Sequence, residues 1–209
     1  MPKADDLGLF PLGIVVLPGE LTPLHVFEPR YRELVGEAID TDTPFGILLT
    51  DDDGLREVGT QVRVTEVVER FEDGRFVVVV EGVERFRLVR QTEGRSFRTG
   101  EVEAVADGDD VADEELRAAA LKLFEELRDA VGADVESPEV DDPELSFAIA
   151  RRVEIDARTK QLLLESRSEP ERLEQLVAHL RNASAQLELV QEHAALARRN
   201  GNLRGGESS

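Results

Sequence analysis

The apolar residues of this chain follow two periods, and the change comes near residue 110. Before it, short runs rich in Val, Ile and Phe occupy 14–17, 45–50, 58–68, 76–81, 83–90 and 97–104. Gly- and Asp-containing turns separate them at close intervals, which predicts a compact antiparallel sandwich or barrel. The clearest hairpin is VTEVVERFEDGRFVVVVEG, where Asp73 and Gly74 supply turn residues that tolerate positive φ. Residues 76–80 do not alternate apolar with polar, so this strand is expected to be covered on both faces and to form the barrel core.

One helix interrupts the β half. Pro29 follows Glu28 at a first helical position, where its missing N–H costs nothing, and Tyr31, Leu34, Val35, Ala38 and Ile39 follow at helical spacing. After residue 110 the period is 3.6 throughout. Leu116, Ala119, Ala120, Leu123, Phe124, Leu127 and Val131 form one stripe, with charged residues on the other faces. An acidic linker over 134–144 leads to a short helix carrying Leu145, Ile149 and Val153, and Asp156 is placed to cap a helix with Leu162, Leu163 and Leu164. Ser168-Glu169-Pro170-Glu171 reads as a capping box that opens a long last helix. Its apolar spacing is read as bundle packing, with a free far end able to pair with another chain. The pattern divides the chain into a β subdomain over 1–108, a helical bundle over 109–200 and a disordered tail over 201–209.

Charge narrows the partners. The formal net charge is −20, and acids outnumber bases in both halves. Nucleic acid is an unexpected partner for such a surface, because most of that affinity comes from neutralising phosphates. No stretch is apolar enough to span a membrane, and MPKADDLGLF lacks a signal-peptide layout, so a cytoplasmic protein with no membrane partner is expected. The absence of cysteine excludes disulfides, thiol nucleophiles and thiolate-bound zinc.

The motifs of catalysis are missing. There is no GxxxxGK[ST] loop, GxGxxG, GxSxG or HExxH. The lysines stand only at positions 3, 122 and 160, the last two on expected polar helix faces, and no serine pairs with any of them as a dyad. Asp51-Asp52-Asp53 and the acids at 107, 109 and 110 lack the spacing of a calcium loop and read as solvated turns. No catalytic residue, metal or cofactor is therefore expected. His179 and His193 read as ordinary helix residues. His25 reads either as a general base or partner contact, or as a half-buried histidine bonded to backbone; the second is preferred because no nucleophile accompanies it.

LGLFPLGIVVLPGELTPLHVFEPRYRELVGEAI resembles the opening signature of the Lon-protease amino-terminal, or LON substrate-binding, domain family: an LPLFPL-type strand, a PG turn, PLHIFEPRYR and a helix. FGILL, VGTQVRVTEVVERFEDGRFVVVVEGVERFRLV, LSFAIARRVEIDARTKQLLLE and SEPERLEQLVAHL extend the likeness over about residues 7–195. The resemblance implies an α+β fold: a PUA-like pseudo-barrel with one packed helix, then a helical bundle. It also implies a non-catalytic module without the ATPase and protease parts of full-length Lon, recognising unfolded or client proteins and acting as an adaptor or regulator of proteolysis, in contact with a cellular protease. A weak homo-oligomer is a further expectation, and small-molecule or nucleic-acid binding by the barrel is the alternative. Client binding needs an exposed apolar groove, expected between barrel and bundle. Within the signature, Leu24, Val26 and Phe27 are expected anchors, Arg30 and Arg32 are expected to pair with acids, and His25, Phe27, Arg30 and Tyr31 are the candidate partner-binding residues.

Overall fold

The computed structural model describes residues 6–202, with side chains to residue 193. Its elements are β1 (Leu7–Leu12), β2 (Leu21–Val26), α1 (Pro29–Thr41), β3 (Phe45–Asp51), β4 (Gly54–Arg70), β5 (Phe76–Thr92), β6 (Arg98–Ala104), α2 (Glu114–Val131), α3 (Leu145–Ala150), α4 (Ala157–Glu165) and α5 (Glu169–Asn202). The expected tail lies outside the described residues, apart from Gly201 and Asn202, which close α5.

The six strands form one sheet in the order β2-β5-β4-β3-β1-β6, and β6 also pairs with β5. The second pairing closes β5, β4, β3, β1 and β6 into a ring. Strand length makes this possible: β5 has 17 residues and spans about 55 Å, more than one neighbour can cover on one edge. Its first half takes β2 through the pairs Leu21↔Glu81 to Val26↔Phe76, and its second half takes β6 from Phe86↔Ala104 onward. The runs 76–81 and 83–90 are thus one strand. The sheet is mixed, where the pattern suggested an antiparallel one, because β1 pairs parallel with β3. Parallel neighbours need a long crossover, and α1 lies within the one that joins them.

Two turns show why the chain folds back where it does. At the β4–β5 hairpin Gly74 has φ +82° and its N–H donates to the Phe71 carbonyl at 2.9 Å, as the Asp-Gly pair predicts. Midway along β5, Gly82 exchanges backbone bonds with the Pro18-Gly19 turn: Gly19 N donates to Gly82 O at 2.8 Å, and Gly82 N to Glu20 O at 3.0 Å. A Cβ at Gly82 would sit 2.1 Å from the Leu17 carbonyl oxygen, so the approach requires glycine.

Strand β5 alternates after all. Val78 and Val80 are fully buried and Phe76 packs beside them on the same face, whereas Val77 and Val79 on the opposite face are half-buried. The predicted strand at 14–17 is instead an irregular segment wedged between the two halves. Val15 and Leu17 pack into the helical cluster and Val16 into the barrel cluster. Side chains satisfy its backbone in place of a ladder: the Thr60 hydroxyl donates to Val16 O at 2.5 Å, and Leu17 N donates to Glu20 Oε2 at 2.9 Å.

Helix α1 starts at Pro29 and buries Tyr31, Leu34, Val35 and Ala38 on the barrel, as its spacing predicts. Tyr31 stacks on Phe10 with ring centroids 4.1 Å apart. Helix α2 is capped by Asp113, whose side chain accepts from Leu116 N at 2.7 Å, and it ends on Gly132 at φ +68°. All six residues of α3 are buried, so it is a core helix with no polar face. Helix α4 is capped by Asp156 as expected, yet it rests on β4, where Gln161 Nε2 donates to Val58 O at 3.0 Å, and Leu162 stays exposed. Lys160 does not face water either: its ammonium reaches Glu20 Oε1 at 2.5 Å with both side chains largely buried.

Helix α5 has 34 residues, about 51 Å. Leu173, Leu176 and Leu180 are fully buried, but Leu189 and Val190 are exposed, so the core follows only its first half. Half of the predicted capping box forms. Ser168 Oγ accepts from Glu171 N at 3.2 Å, while the Glu171 carboxylate takes the Ser166 hydroxyl and Ser168 N turns to Ser166 Oγ.

Candidate functional site

The four residues proposed from the sequence lie at the β2–α1 corner. His25 registers with Val77 on β5 and faces outward, together with Leu21 and Pro23. The alternation continues one residue past the strand, so Phe27 is 65% exposed and is not an anchor, whereas Leu24 and Val26 are buried. Arg30 pairs with Glu28 at 2.8 Å and stands 4.6 Å over the Tyr31 ring. Tyr31 itself is buried, which raises its phenol above the ordinary value, partly offset by Arg30. Arg32 bonds the carbonyl oxygen of Asp73 and not a carboxylate. His179 Nε2 lies 3.4 Å from Glu154 O, and His193 is exposed on α5.

A larger feature lies elsewhere, where barrel and bundle meet. A cleft of about 840 Å³ is lined by Pro18, Val83, Val105, Val111, Pro143 and their neighbours from β5, the β6–α2 linker and the loop before α3. Val83 from β5 is 51% exposed and Val111 from the linker 82% exposed, and both line the cleft. Val83 is turned out by a register shift, since Gln61 pairs with Glu84 but Val62 with Gly82. None of the four corner residues lines this cleft.

Its floor is a buried ionic cluster. Arg172 is fully buried and uses all five donors: Nε on Ser146 Oγ at 2.9 Å, Nη1 on Asp107 Oδ1 at 2.8 Å and Ser166 O at 3.0 Å, Nη2 on Asp107 Oδ2 at 2.5 Å and Glu169 Oε2 at 2.7 Å. Arg85 from β5 reaches the same Asp107 and the carbonyls of Leu164 and Ser166. Glu169 also accepts from Ser146 N at 2.8 Å and Ser146 Oγ at 2.6 Å, and both guanidinium groups lie over Phe147. Strand, linker, α3 and α5 are thereby tied at one point.

The titration shifts follow from this geometry. Burial opposes the charge on Asp107, but Arg172 and Arg85 outweigh it and hold its carboxyl below the ordinary value. Arg172 is raised, since its bonds to Asp107 and Glu169 exceed the effect of burial. Arg85 moves the other way: burial dominates, its further partners are neutral carbonyls, and Arg172 repels it. Glu144 is exposed at the rim, and the surrounding protein's partial desolvation together with the Asp107 charge raises its carboxyl despite the opposing pull of Arg85 and Arg172. Asp107 is thus a structural ion and not the solvated turn residue the sequence suggested. Asp51 does behave as a turn residue, taking Arg56 at 2.8 Å on the surface.

The sequence pattern pointed to a groove between the halves but assigned none of these residues to it, reading Asp107 as a turn acid and Glu169 as part of a capping box. A usable signal existed for Arg172: it stands beside Leu173 and Leu176 on the inward stripe, where a charge requires partners. Val83 and Val111 carry no such signal. A second groove of about 810 Å³ runs between α2 and α5, lined by Phe124, Leu127, Val131, Leu187 and Val190, with Arg152 and His179 at its rim. Among the described residues no group of acids or histidines is arranged to hold a metal ion, and no helix is long and apolar enough to cross a membrane.

Comparison with known proteins agrees with the architecture. The family model for the ATP-dependent protease La (LON) substrate-binding domain matches residues 6–182. The Lon protease of Paraburkholderia phytofirmans is 29% identical across 90% of the chain, and that of Anaeromyxobacter dehalogenans 27% identical across 73%. The chain spans only 26% and 20% of those two proteins. Among solved structures, a Lon N-terminal domain protein from Xanthomonas campestris superposes with a TM-score of 0.66 at 31% identity, covering 83% of this chain and 98% of that one. The N-terminal domain of a Mycobacterium avium complex Lon protease, 19% identical, shares the fold with a TM-score of 0.62 over 84% of this chain and 98% of its own. With its closed six-stranded sheet, its capping helix and its helical half, the chain belongs to the family of ATP-dependent protease La (LON) substrate-binding domains.

Proposed function

We propose that the protein is a non-catalytic binding module that takes exposed apolar segments of unfolded or client proteins into the barrel–bundle cleft, as an adaptor or regulator of proteolysis. The observation that carries this reading is the cleft of about 840 Å³ with Val83 and Val111 standing in solvent on its wall. Apolar side chains in such a position gain by being covered, roughly 25 cal/mol for each Å² removed from water. The buried Arg172 cluster keeps the two walls at a fixed separation, so a segment meets a preformed groove. The family description, a substrate-binding domain, supports the same reading. The corner with His25, Phe27 and Arg30, resting on buried Tyr31, is the proposed second contact surface, suited to a partner protein by its exposed aromatic ring and arginine.

Fluorescence anisotropy with a labelled, permanently unfolded model protein tests the idea, the native form of that protein serving as control. The unfolded form should bind, the native form should not, and Val83→Ser with Val111→Ser should weaken binding about tenfold, as lost apolar burial of this size implies. Equal behaviour of the two forms, or indifference to the paired substitution, refutes it.

A further inference from the structure

Resting on that reading, we infer that the cleft selects apolar segments that also carry lysine or arginine. The charge around the cleft is unbalanced. Glu84, Asp110, Glu114, Asp141 and Glu144 all line it. The cations that could answer them are already engaged. Arg172 has all five donors bonded, to Asp107, Glu169, Ser146 and the Ser166 carbonyl, and Arg85 is held by Asp107 and the carbonyls of Leu164 and Ser166. Arg117 turns its guanidinium to the carbonyls of Val140 and Asp142. Among the described residues no cation pairs with the carboxylates of Glu84, Glu114 or Asp141, and the Glu144 carboxylate accepts no hydrogen bond.

Val83 is followed by Glu84, Val111 is preceded by Asp110, and Pro143 is followed by Glu144, so each of these apolar lining residues has an acidic chain neighbour that lines the same cleft. An extended segment presents side chains alternately, and one with apolar and basic residues interleaved matches both sets at once. Glu144 adds a specific incentive. Glu144 is open to solvent at the rim, its ionised form is disfavoured by partial desolvation and by Asp107 more than Arg85 and Arg172 favour it, and an arriving ammonium or guanidinium can reach and relieve it. An acidic segment would meet repulsion here as well as from the net charge of −20.

The general negative charge must be separated from the cleft, and paired substitutions do this. Three labelled peptides share one apolar pattern and differ only in having Lys, Gln or Glu at the polar positions. The Lys peptide should bind about tenfold more tightly than the Gln peptide, and the Glu peptide more weakly than both. Glu84→Gln with Glu144→Gln should remove most of the Lys preference and leave the Gln peptide unchanged. Glu188→Gln with Glu192→Gln on exposed α5 changes net charge equally and should alter each affinity less than about twofold, because the effect of remote charges is screened at physiological salt. Far-ultraviolet circular dichroism and thermal midpoints confirm that each variant is folded. Equal binding of Lys and Gln peptides, or equal losses from the two paired substitutions, overturns the inference. If unfolded protein still binds and still responds to Val83→Ser with Val111→Ser, only the basic preference falls. If neither peptides nor unfolded protein bind, the proposed function falls with it.

Discussion

Replacing Arg172 by Met removes the central cation of the cleft floor while keeping most of the side-chain volume. Five donors disappear at once. Asp107 retains Arg85, and Ser146 retains Glu169. The group left in deficit is Glu169, whose side chain is 7% exposed and whose only cationic partner is Arg172 among the described residues. Breaking a buried pair from one side typically costs about 3–5 kcal/mol, since the remaining charge is desolvated without compensation. With a urea slope of about 2 kcal/mol/M the unfolding midpoint should fall by roughly 1.5–2.5 M. The companion variant Arg172→Met with Glu169→Gln removes the orphan charge but keeps an acceptor for Ser146, and should recover roughly half the loss or more. Urea unfolding followed by circular dichroism at neutral pH measures both. A loss below about 1 kcal/mol for the single variant, or a double variant no more stable than the single, would show that the cluster does not act as a coupled buried network.

Three further outcomes follow from the same geometry. Gly82→Ala should cost about 1–3 kcal/mol or more, because its Cβ meets the Leu17 carbonyl oxygen, and limited proteolysis should then cut near the Pro18-Gly19 turn. The Asp107 carboxyl is depressed in the folded protein, so its contribution is fully present above the unfolded value near 3.9 and is lost as pH falls through the lower folded value; Asp107→Asn should flatten that acid limb in urea titrations. Glu144 is shifted the other way, so its ionised form opposes folding at neutral pH. Glu144→Gln should therefore raise the neutral-pH midpoint, with the gain disappearing below about pH 4.

Much of the local structure was legible before folding. Pro29 opens α1, Asp156 caps α4 and Asp73-Gly74 turns the β4–β5 hairpin because each choice depends on a few adjacent φ angles and hydrogen bonds. The inward stripe of α1 was legible for a related reason: a 3.6 period places Leu34, Val35 and Ala38 on one side whatever they pack against. Errors arose where local pattern has two solutions. Val15, Val16 and Leu17 alternate as a strand does, but barrel and bundle cover opposite faces of the segment, and Thr60 and Glu20 take over the ladder's hydrogen bonds. Phe27 is apolar, yet the register of β2 on β5 turns it outward.

The sequence by itself determined most of the helices and strands, the caps at Pro29, Asp113, Gly132 and Asp156, and the buried side of α1, since those follow from nearest-neighbour geometry and periodic patterning. It also carried the family signature over 7–195, in which side-chain order along the chain is enough. Only the tertiary structure decided which residues from distant segments meet. Arg85, Asp107, Ser146 and the Glu169–Arg172 pair come from four separate stretches, and apart from the place of Arg172 on the inward stripe of α5 no period marks which of them meet. The same holds for Val83 and Val111: each is an ordinary valine until the ring closure of β5 and the path of the linker bring both to the same open cleft. Hydrophobic patterning says that a side chain should leave water. Whether it does depends on long-range packing, which left these two exposed.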